Sequence, residues 1–316
     1  MYATEPWCEP PARGRSEVVP VLHRTQSPGR LGGTEPTPTG DAVGRGVKLS
    51  ILMPVFNEER TIVRAVEEVL QTPYPCDFEL IVVDDGSTDA TEVLLARMRH
   101  DRLVVHRHGQ NRGKGAALRT AVSLARGSHV VPFDADLEYA AEDIPRMLDP
   151  VLKGRCAVVY GVRMFGFNTV YHSLRYAAGN RFLTVLANIL FDACMSDLHT
   201  CLKLIPLPML TALDLTEERF GLDTEVTALL LRNGVRPFEV PVSYYSRSHG
   251  EGKKIKMRDA LVCAWVLVKV RLRRRRARAA LPEAPAPGPD GPARAAALRP
   301  VKLSESPGEI ATGKAS

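Results

Sequence analysis

The chain has 316 residues and a net charge of +6; its apolar share of 45% is ordinary for a soluble globular protein, and the length allows one or two domains. Six cysteines (Cys8, Cys76, Cys156, Cys194, Cys201 and Cys263) show no C-x-x-C and no metal-finger spacing, so they read as reduced thiols of a cytoplasmic protein. The opening MYATEPWCEP has neither a basic start nor an apolar core and is not read as a signal peptide.

Residues 1–47 are dense in Pro, Gly, Thr and Arg, which predicts a disordered leader, and order is expected from Lys48. LSILMPV is a buried strand stopped by Phe56-Asn57-Glu58. Glu58–Gln71 follows a helical pattern that Thr72-Pro73-Tyr74-Pro75 breaks. Phe78–Val83 predicts a second buried strand ending in Asp84-Asp85-Gly86-Ser87, followed by a helix over Ala90–Met98. Leu103–His106 is a short third strand, Gly113–Ala125 a Gly-entered helix, and His129–Phe133 a fourth strand.

That fourth strand leads into the stretch VVPFDADLEY, where Asp134, Asp136 and Glu138 fall at alternate positions. In an extended backbone such residues share one face, so three carboxylates could gather at the strand end and call for a hard divalent cation. Mg²⁺ completes its shell with phosphate oxygens, which makes a phosphate-bearing ligand the expected companion.

The second half predicts a helix at Ile144–Leu152, a strand at Ala157–Gly161 and a long amphipathic helix at Leu174–Phe191. A strand at Cys201–Ile205 and helices at Pro208–Leu213 and Thr224–Arg232 follow. Val235–Val242 reads as an edge strand, because Pro237 and Pro241 cannot donate to a ladder. Alternating short strands and helices indicate an α/β chain with a parallel sheet, whose ligands sit beyond the carboxyl ends of the strands. Asn57-Glu58, Asp84-Asp85 and Asp134-Ala135-Asp136 all fall at such ends. Asn111-Arg112-Gly113-Lys114-Gly115 is not a P-loop, since only three residues separate Gly109 from Gly113 and no Ser or Thr follows Lys114.

Taken together, MPVFNEE, VVDDGSTDAT, NRGKGAAL, FDADLEY, SDLHTCLK and YSRSHGEGKKI, in that order, resemble the motifs of family 2 glycosyltransferases with a GT-A fold. The resemblance runs from about Lys48 to Arg258 and is greatest to the polyprenyl-phosphate (dolichol-phosphate-type) branch. It implies a nucleotide-sugar-binding α/β domain over 48–258, with a mostly parallel central sheet flanked by helices and with disordered termini.

The resemblance also implies roles. Pro54, Asn57, Glu58, Asp84, Asp85, Lys114, Asp134 and Ala135 would bind the donor, GDP-mannose or a UDP-hexose. Asp84 or Asp85, acceptor-only carboxylates, could take hydrogen bonds from a base edge or ribose. Asp134, Asp136 and Glu138 would hold Mg²⁺ or Mn²⁺ against the diphosphate. Arg163, Arg175, Arg247 and Lys253 stand where the family grips the acceptor's phosphate, and Asp136 and Arg247 are the expected catalytic residues. An acceptor phosphate is already ionised; a hydroxyl acceptor would need a general base, for which Asp197 is the candidate. His199 and Cys201 read as packing residues.

Beyond the domain, Ala260–Val270 is too short to cross a bilayer, where about 20 residues are needed. Seven basic and no acidic residues lie between Lys269 and Arg278, so 259–278 is expected to be an amphipathic helix with a polybasic flank at a membrane surface. No aromatic-interleaved basic surface supports a nucleic-acid partner, and 279–316 is expected to be disordered. The expected activity is inverting transfer of a hexose, mannose in the first place, to a polyprenyl phosphate at the cytoplasmic face of the plasma membrane. Transfer to a saccharide or small-molecule hydroxyl, and a non-catalytic nucleotide-sugar binder of the same fold, are the alternatives.

Overall fold

In the computed structural model, the described residues are 46–163, 169–170, 174–219, 221–246 and 257–273. The expected leader as far as residue 45, the expected tail and residues 274–278 of the polybasic flank, as well as Arg247 and Lys253, lie outside them. The first strand, β1 (Lys48–Val55), is buried on both faces and is flanked in parallel by β2 (Asp77–Asp84) and β4 (His129–Pro132). Side chains alternate across it: Leu49, Ile51, Met53 and Val55 join one core layer, whereas Leu52 joins the other. β2 repeats the alternation, with Phe78, Leu80 and Val82 on the first face and Ile81 and Val83 on the second.

β3 (Leu103–Arg107) pairs in parallel with β2 and forms one edge of the sheet, so Val104 and Val105 remain 40% and 43% exposed. The chain then returns past β1 through α3 (Lys114–Leu124) to β4. In the sheet order β3-β2-β1-β4-β7-β5-β8, consecutive strands therefore run outward from β1 in one direction and resume on its other side. The crevice between the carboxyl ends of β1 and β4 is the topological switch point, where ligands of such sheets bind.

β5 (Val159–Val162), β7 (Lys203–Pro206) and β8 (Phe238–Pro241) complete the seven strands. β7 is antiparallel to both β4 and β5, so the sheet is mostly rather than wholly parallel. β8 is the second edge, as its prolines require. A two-stranded ribbon of β6 (Thr169–Val170) and β9 (Tyr244–Tyr245) lies apart from the main sheet.

One layer is built with α1 (Ile62–Gln71), α2 (Thr91–Arg97) and α4 (Ile144–Leu152), which bury Ile62, Val66, Leu95, Ile144 and Leu148. The opposite layer holds α3, α5 (Leu174–Phe191), α6 (Leu207–Thr211), α7 (Gly221–Arg232) and α8 (Met257–Leu272). α8 buries Cys263, Val266, Leu267 and Val270 in that layer. The folded unit therefore runs past Arg258, where the motif resemblance ends, because an apolar face at helical spacing has α7 and α5 to pack on. No described helix is long and apolar enough to cross a membrane. Cys76, Cys156, Cys194, Cys201 and Cys263 are free thiols.

Candidate active site

At the carboxyl end of β1, Asn57 takes a left-handed backbone conformation (φ 54°), one that asparagine tolerates better than most residues. Its Oδ1 accepts from Thr88 N at 2.8 Å, and its own N–H donates to Ser87 Oγ at 3.0 Å, so the loops after β1 and β2 hold each other. The Glu58 N–H donates to Thr91 Oγ1 at 3.0 Å. Pro54, one residue before the strand end, is half-buried.

Asp84 and Asp85 both take partners from the loops around them. Asp84 Oδ1 accepts from Ser87 N at 2.9 Å, Oδ2 lies 3.4 Å from Arg107 Nε, and the residue is 1% exposed. Asp85 Oδ1 accepts from His108 Nδ1 (2.7 Å) and Arg112 N (3.0 Å), while Oδ2 accepts from Gly113 N at 2.7 Å. These carboxylates build the loops around the crevice; the shortness of the turn after β2 brings loop N–H donors to them first. Gly86 (φ 72°) allows that turn, and a Cβ there would meet the Gln110 backbone at 2.6 Å.

The loop that Asp85 clamps delivers Lys114, the first residue of α3, to the crevice. Its Nζ lies 2.8 Å from Asp134 and 3.8 Å from Asp223 of α7; Asp223 lies 3.3 Å from Lys203 Nζ on β7. Four alternating charges thus cross from the end of β4 to the opposite layer. Burial alone would lower the Lys114 ammonium, but Asp134 and Asp223 raise it well above the ordinary lysine value. Burial would likewise raise Asp223, and Lys203 and Lys114 bring it down instead. Cys201 is buried beside Asp134, and burial pushes its thiol well up. It is a packing group there, in line with its sequence reading.

The triplet after β4 departs from the extended geometry expected of it. The strand stops at Pro132; the chain turns at Ala135 and Asp136, and Leu137 is left-handed (φ 60°). Asp136 Oδ1 accepts from the Glu138 N–H at 3.1 Å, while Glu138 Oε2 accepts from Tyr244 O–H at 2.6 Å. Among the described residues no three His, Cys, Asp or Glu groups converge to hold a cation. A turn spreads side chains that a strand would align. Asp134 and the half-buried Asp136 fit the smaller set that Mg²⁺ or Mn²⁺ takes, one or two carboxylates with the ligand's phosphates completing the shell. Ala135, between them, is buried.

Asp197 is not placed as a base. Its carboxylate accepts from Arg163 Nε (2.7 Å) and Nη2 (2.8 Å) and from Asn180 Nδ2 (2.9 Å), at 2% exposure. Burial would raise its pKa, but the Arg163 guanidinium holds it well below the usual carboxylate range. Arg163 is correspondingly engaged and lies 4.9 Å from the Tyr244 ring centroid rather than standing free for a phosphate. His199 bonds Asn180 Oδ1 (3.0 Å) and Thr224 Oγ1 (2.9 Å), and burial followed by Lys203 lowers its pKa to about 4. It is neutral there and packs, in line with its sequence reading. Arg175 lies in α5, its side chain outside the described set, as are Arg247 and Lys253 altogether.

The structure thus brings together Asn57, Lys114, Asp134 and Asp136 around the switch point. It adds Asp223, Lys203, Asn180 and Tyr244, which sequence reading passed over. Asp223-Thr224-Glu225 carried a signal: three polar residues open an otherwise apolar helix, and all three are largely buried. Glu225 holds the preceding loop, accepting from Thr216 N and Glu217 N at 2.8 Å each.

Comparison with known proteins agrees with this arrangement. Residues 50–201 match the family model described as Glycosyl transferase family 2. The chain is 30% identical over 229 residues to glycosyltransferase AglD of Haloferax volcanii, covering 70% of this chain and 36% of that protein. It is 35% identical over 136 residues to dodecaprenyl-phosphate galacturonate synthase of Rhizobium johnstonii, 40% of this chain and 38% of that one. With undecaprenyl-phosphate 4-deoxy-4-formamido-L-arabinose transferase of Pseudomonas fluorescens the identity is 29%, over 66% and 61% of the two chains. The chain therefore spans about a third of AglD's length, and less than two thirds of either polyprenyl-phosphate enzyme. In fold it resembles glucosyl-3-phosphoglycerate synthase from Mycobacterium tuberculosis in complex with Mn²⁺, UDP and glucosyl-3-phosphoglycerate. The TM-score is 0.55 at 19% identity, covering 73% of this chain and 81% of the other. By family match, relatives and fold, residues 50–201 form a family 2 glycosyltransferase domain built on a GT-A-like sheet.

Proposed function

We propose that the protein is an inverting glycosyltransferase that moves a hexose, mannose in the first place, from a nucleotide-sugar donor to a polyprenyl phosphate. The observation that carries the reading is Asp134 and Asp136 at the switch point between β1 and β4, with the Lys114 ammonium 2.8 Å from Asp134. Lys114, held in its charged form, supplies a fixed positive charge beside the place where a diphosphate would sit. Asp136, in the turn after β4, would be the principal ligand of Mg²⁺ or Mn²⁺, with Asp134 beside it. That cation supplies Lewis-acid stabilisation of the departing nucleoside diphosphate. The lipid-phosphate oxygen forms the new bond to the anomeric carbon as the bond to the diphosphate breaks, and the electron pair leaves with the nucleotide.

A phosphate acceptor is supported by the state of one carboxylate. Asp197, the candidate base for a hydroxyl acceptor, is instead held by Arg163 and Asn180. The two polyprenyl-phosphate relatives support the same acceptor class. The reaction would take place at the cytoplasmic face of the plasma membrane, with the C-terminal basic helix in peripheral contact.

The test is a panel of GDP-mannose and UDP-hexoses with undecaprenyl phosphate as acceptor. Metal-dependent lipid-linked product from one donor is expected. Asp136→Asn should lower kcat more than tenfold, about 1.4 kcal/mol, with an unchanged melting transition. A variant keeping more than about a tenth of the rate overturns the metal assignment; glycosylation of a sugar hydroxyl in place of the lipid overturns the acceptor.

A further inference from the structure

Far from the switch point, the C-terminal ends of three helices meet. Leu190, Phe191 and Asp192 close α5, Leu231, Arg232 and Gly234 close α7, and Arg271 and Arg273 close α8; together with Arg236 they line an open cavity of about 500 Å³. Helix ends carry unpaired carbonyls and partial negative charge, which guanidinium donors satisfy. Arg236 Nη2 donates to Phe191 O (3.1 Å) and Asp192 O (3.0 Å), and Arg232 donates to the Val270 and Arg273 carbonyls. Capping accounts for those two arginines. It leaves most of Arg271 unexplained: this exposed residue gives Nε to Leu190 O at 2.9 Å, one of five donors. Arg273 is paired with Asp214 at 2.7 Å, so of the four guanidiniums that line the cavity, with Asp192 as the lining carboxylate, Arg271 is the one whose donors neither capping nor that ion pair accounts for. A space of this volume with the Arg271 guanidinium on its wall suits an anionic group.

Two of the helices that form the cavity, α5 and α8, also carry eight of the fourteen exposed large apolar side chains among the described residues. α8 exposes Leu261, Trp265 and Leu272, on one stripe at spacings of four and seven, with Trp265 66% exposed. α5, packed beside it, exposes Phe182, Val185 and Ile189 at spacings of three and four. The Arg271–Leu190 bond staples the two stripes at their ends, where Leu272 and Ile189 are 75% and 74% exposed. An uncovered apolar surface rimmed by arginines matches the two layers of an anionic leaflet, acyl chain below and phosphate above.

We propose that the cavity between α5, α7 and α8 takes the phosphate of an anionic phospholipid headgroup while the α5 and α8 stripes rest in the same leaflet. The inference deepens the membrane contact proposed above, and rests on it only for the choice of a bilayer; it adds α5 and a defined headgroup site, and needs no transfer activity.

The full chain is sedimented with vesicles of phosphatidylcholine alone and of phosphatidylcholine with phosphatidylglycerol, without donor or acceptor. Binding at least tenfold tighter to the anionic vesicles is expected, with a blue shift of Trp265 emission in a Trp7→Phe background. Phe182→Ser and Trp265→Ser should each weaken binding several-fold. Arg271→Gln should reduce the preference for phosphatidylglycerol and leave the weak binding to phosphatidylcholine unchanged. A chain that stays in the supernatant with both vesicles overturns the proposal, as does equal binding to both. So does wild-type behaviour of Arg271→Gln when neutralising Arg274, Arg275 and Arg276 abolishes binding, since the tail alone then holds the lipid. Self-association that Trp265→Ser abolishes, in the absence of vesicle binding, assigns the face to a second copy and overturns it as well. Transfer activity in the donor panel is read separately, so either reading can fail alone.

Discussion

Three N–H groups, from His108, Arg112 and Gly113, converge on the Asp85 carboxylate. An amide in its place has one oxygen and turns an N–H toward donors. Asp85→Asn should therefore cost about 1–3 kcal/mol in urea denaturation and weaken nucleotide binding in calorimetry by freeing the Lys114 loop; unchanged values in both would remove Asp85 from that role. His129 offers a second test. It is buried in β4, and burial lowers its pKa to about 4, as burial and Lys203 do for His199. The unfolded chain, with a histidine pKa of about 6.5, takes up these protons first. Stability should thus be full above about pH 6.5 and fall as pH drops toward 4, by up to about 3 kcal/mol per histidine. His129→Leu should flatten denaturation measured between pH 7 and 5, and an unchanged slope would contradict the assignment.

Among the elements, α8 has two faces with different expected energetics. Leu267 is fully buried in the layer shared with α7, whereas Trp265 is open to solvent. Leu267→Ala should destabilise the fold by about 2–5 kcal/mol, and Trp265→Ser by under about 0.5 kcal/mol. Equal, small effects of both would mean that α8 is a tethered appendage. The strands show a similar division between pattern and context. β1 and β2 were legible as apolar runs because both faces are covered, and β8 as an edge because of its prolines. β7 was legible as a strand but not as an antiparallel one, since local hydrophobicity carries no direction.

Across the molecule, the chain of charges Asp134–Lys114–Asp223–Lys203 ties the crevice to α7 and β7. Lys203 is 1% exposed, lies 5.6 Å from the Tyr160 ring centroid and is one of two cations beside Asp223. Lys203→Met should leave Lys114 as the remaining partner of Asp223 and draw it from Asp134. The expected result is a loss of about 3–5 kcal/mol in chemical denaturation, as for a broken buried pair, together with weaker nucleotide binding. Loss of stability with nucleotide affinity intact would show that the chain of charges is a scaffold without influence on the crevice.

What the sequence determined by itself was the order of strands and helices and the positions of the acidic strand ends, because periodicity and apolar runs are local properties of the chain. Asn57, Asp134 and Asp136 were legible in this way, Lys114 through the motif resemblance, and all flank the switch point. Only the tertiary structure decided which partners the acidic strand-end and loop residues take. Asp84, Asp85 and Asp197 have the same chemistry as Asp136, yet distant parts of the chain supply their partners: Arg107 for Asp84, the 108–113 loop for Asp85, Arg163 and Asn180 for Asp197. A buried carboxylate must be satisfied by whatever donor the fold brings within about 3 Å, and that donor lies up to 34 residues away in the case of Arg163 and Asp197.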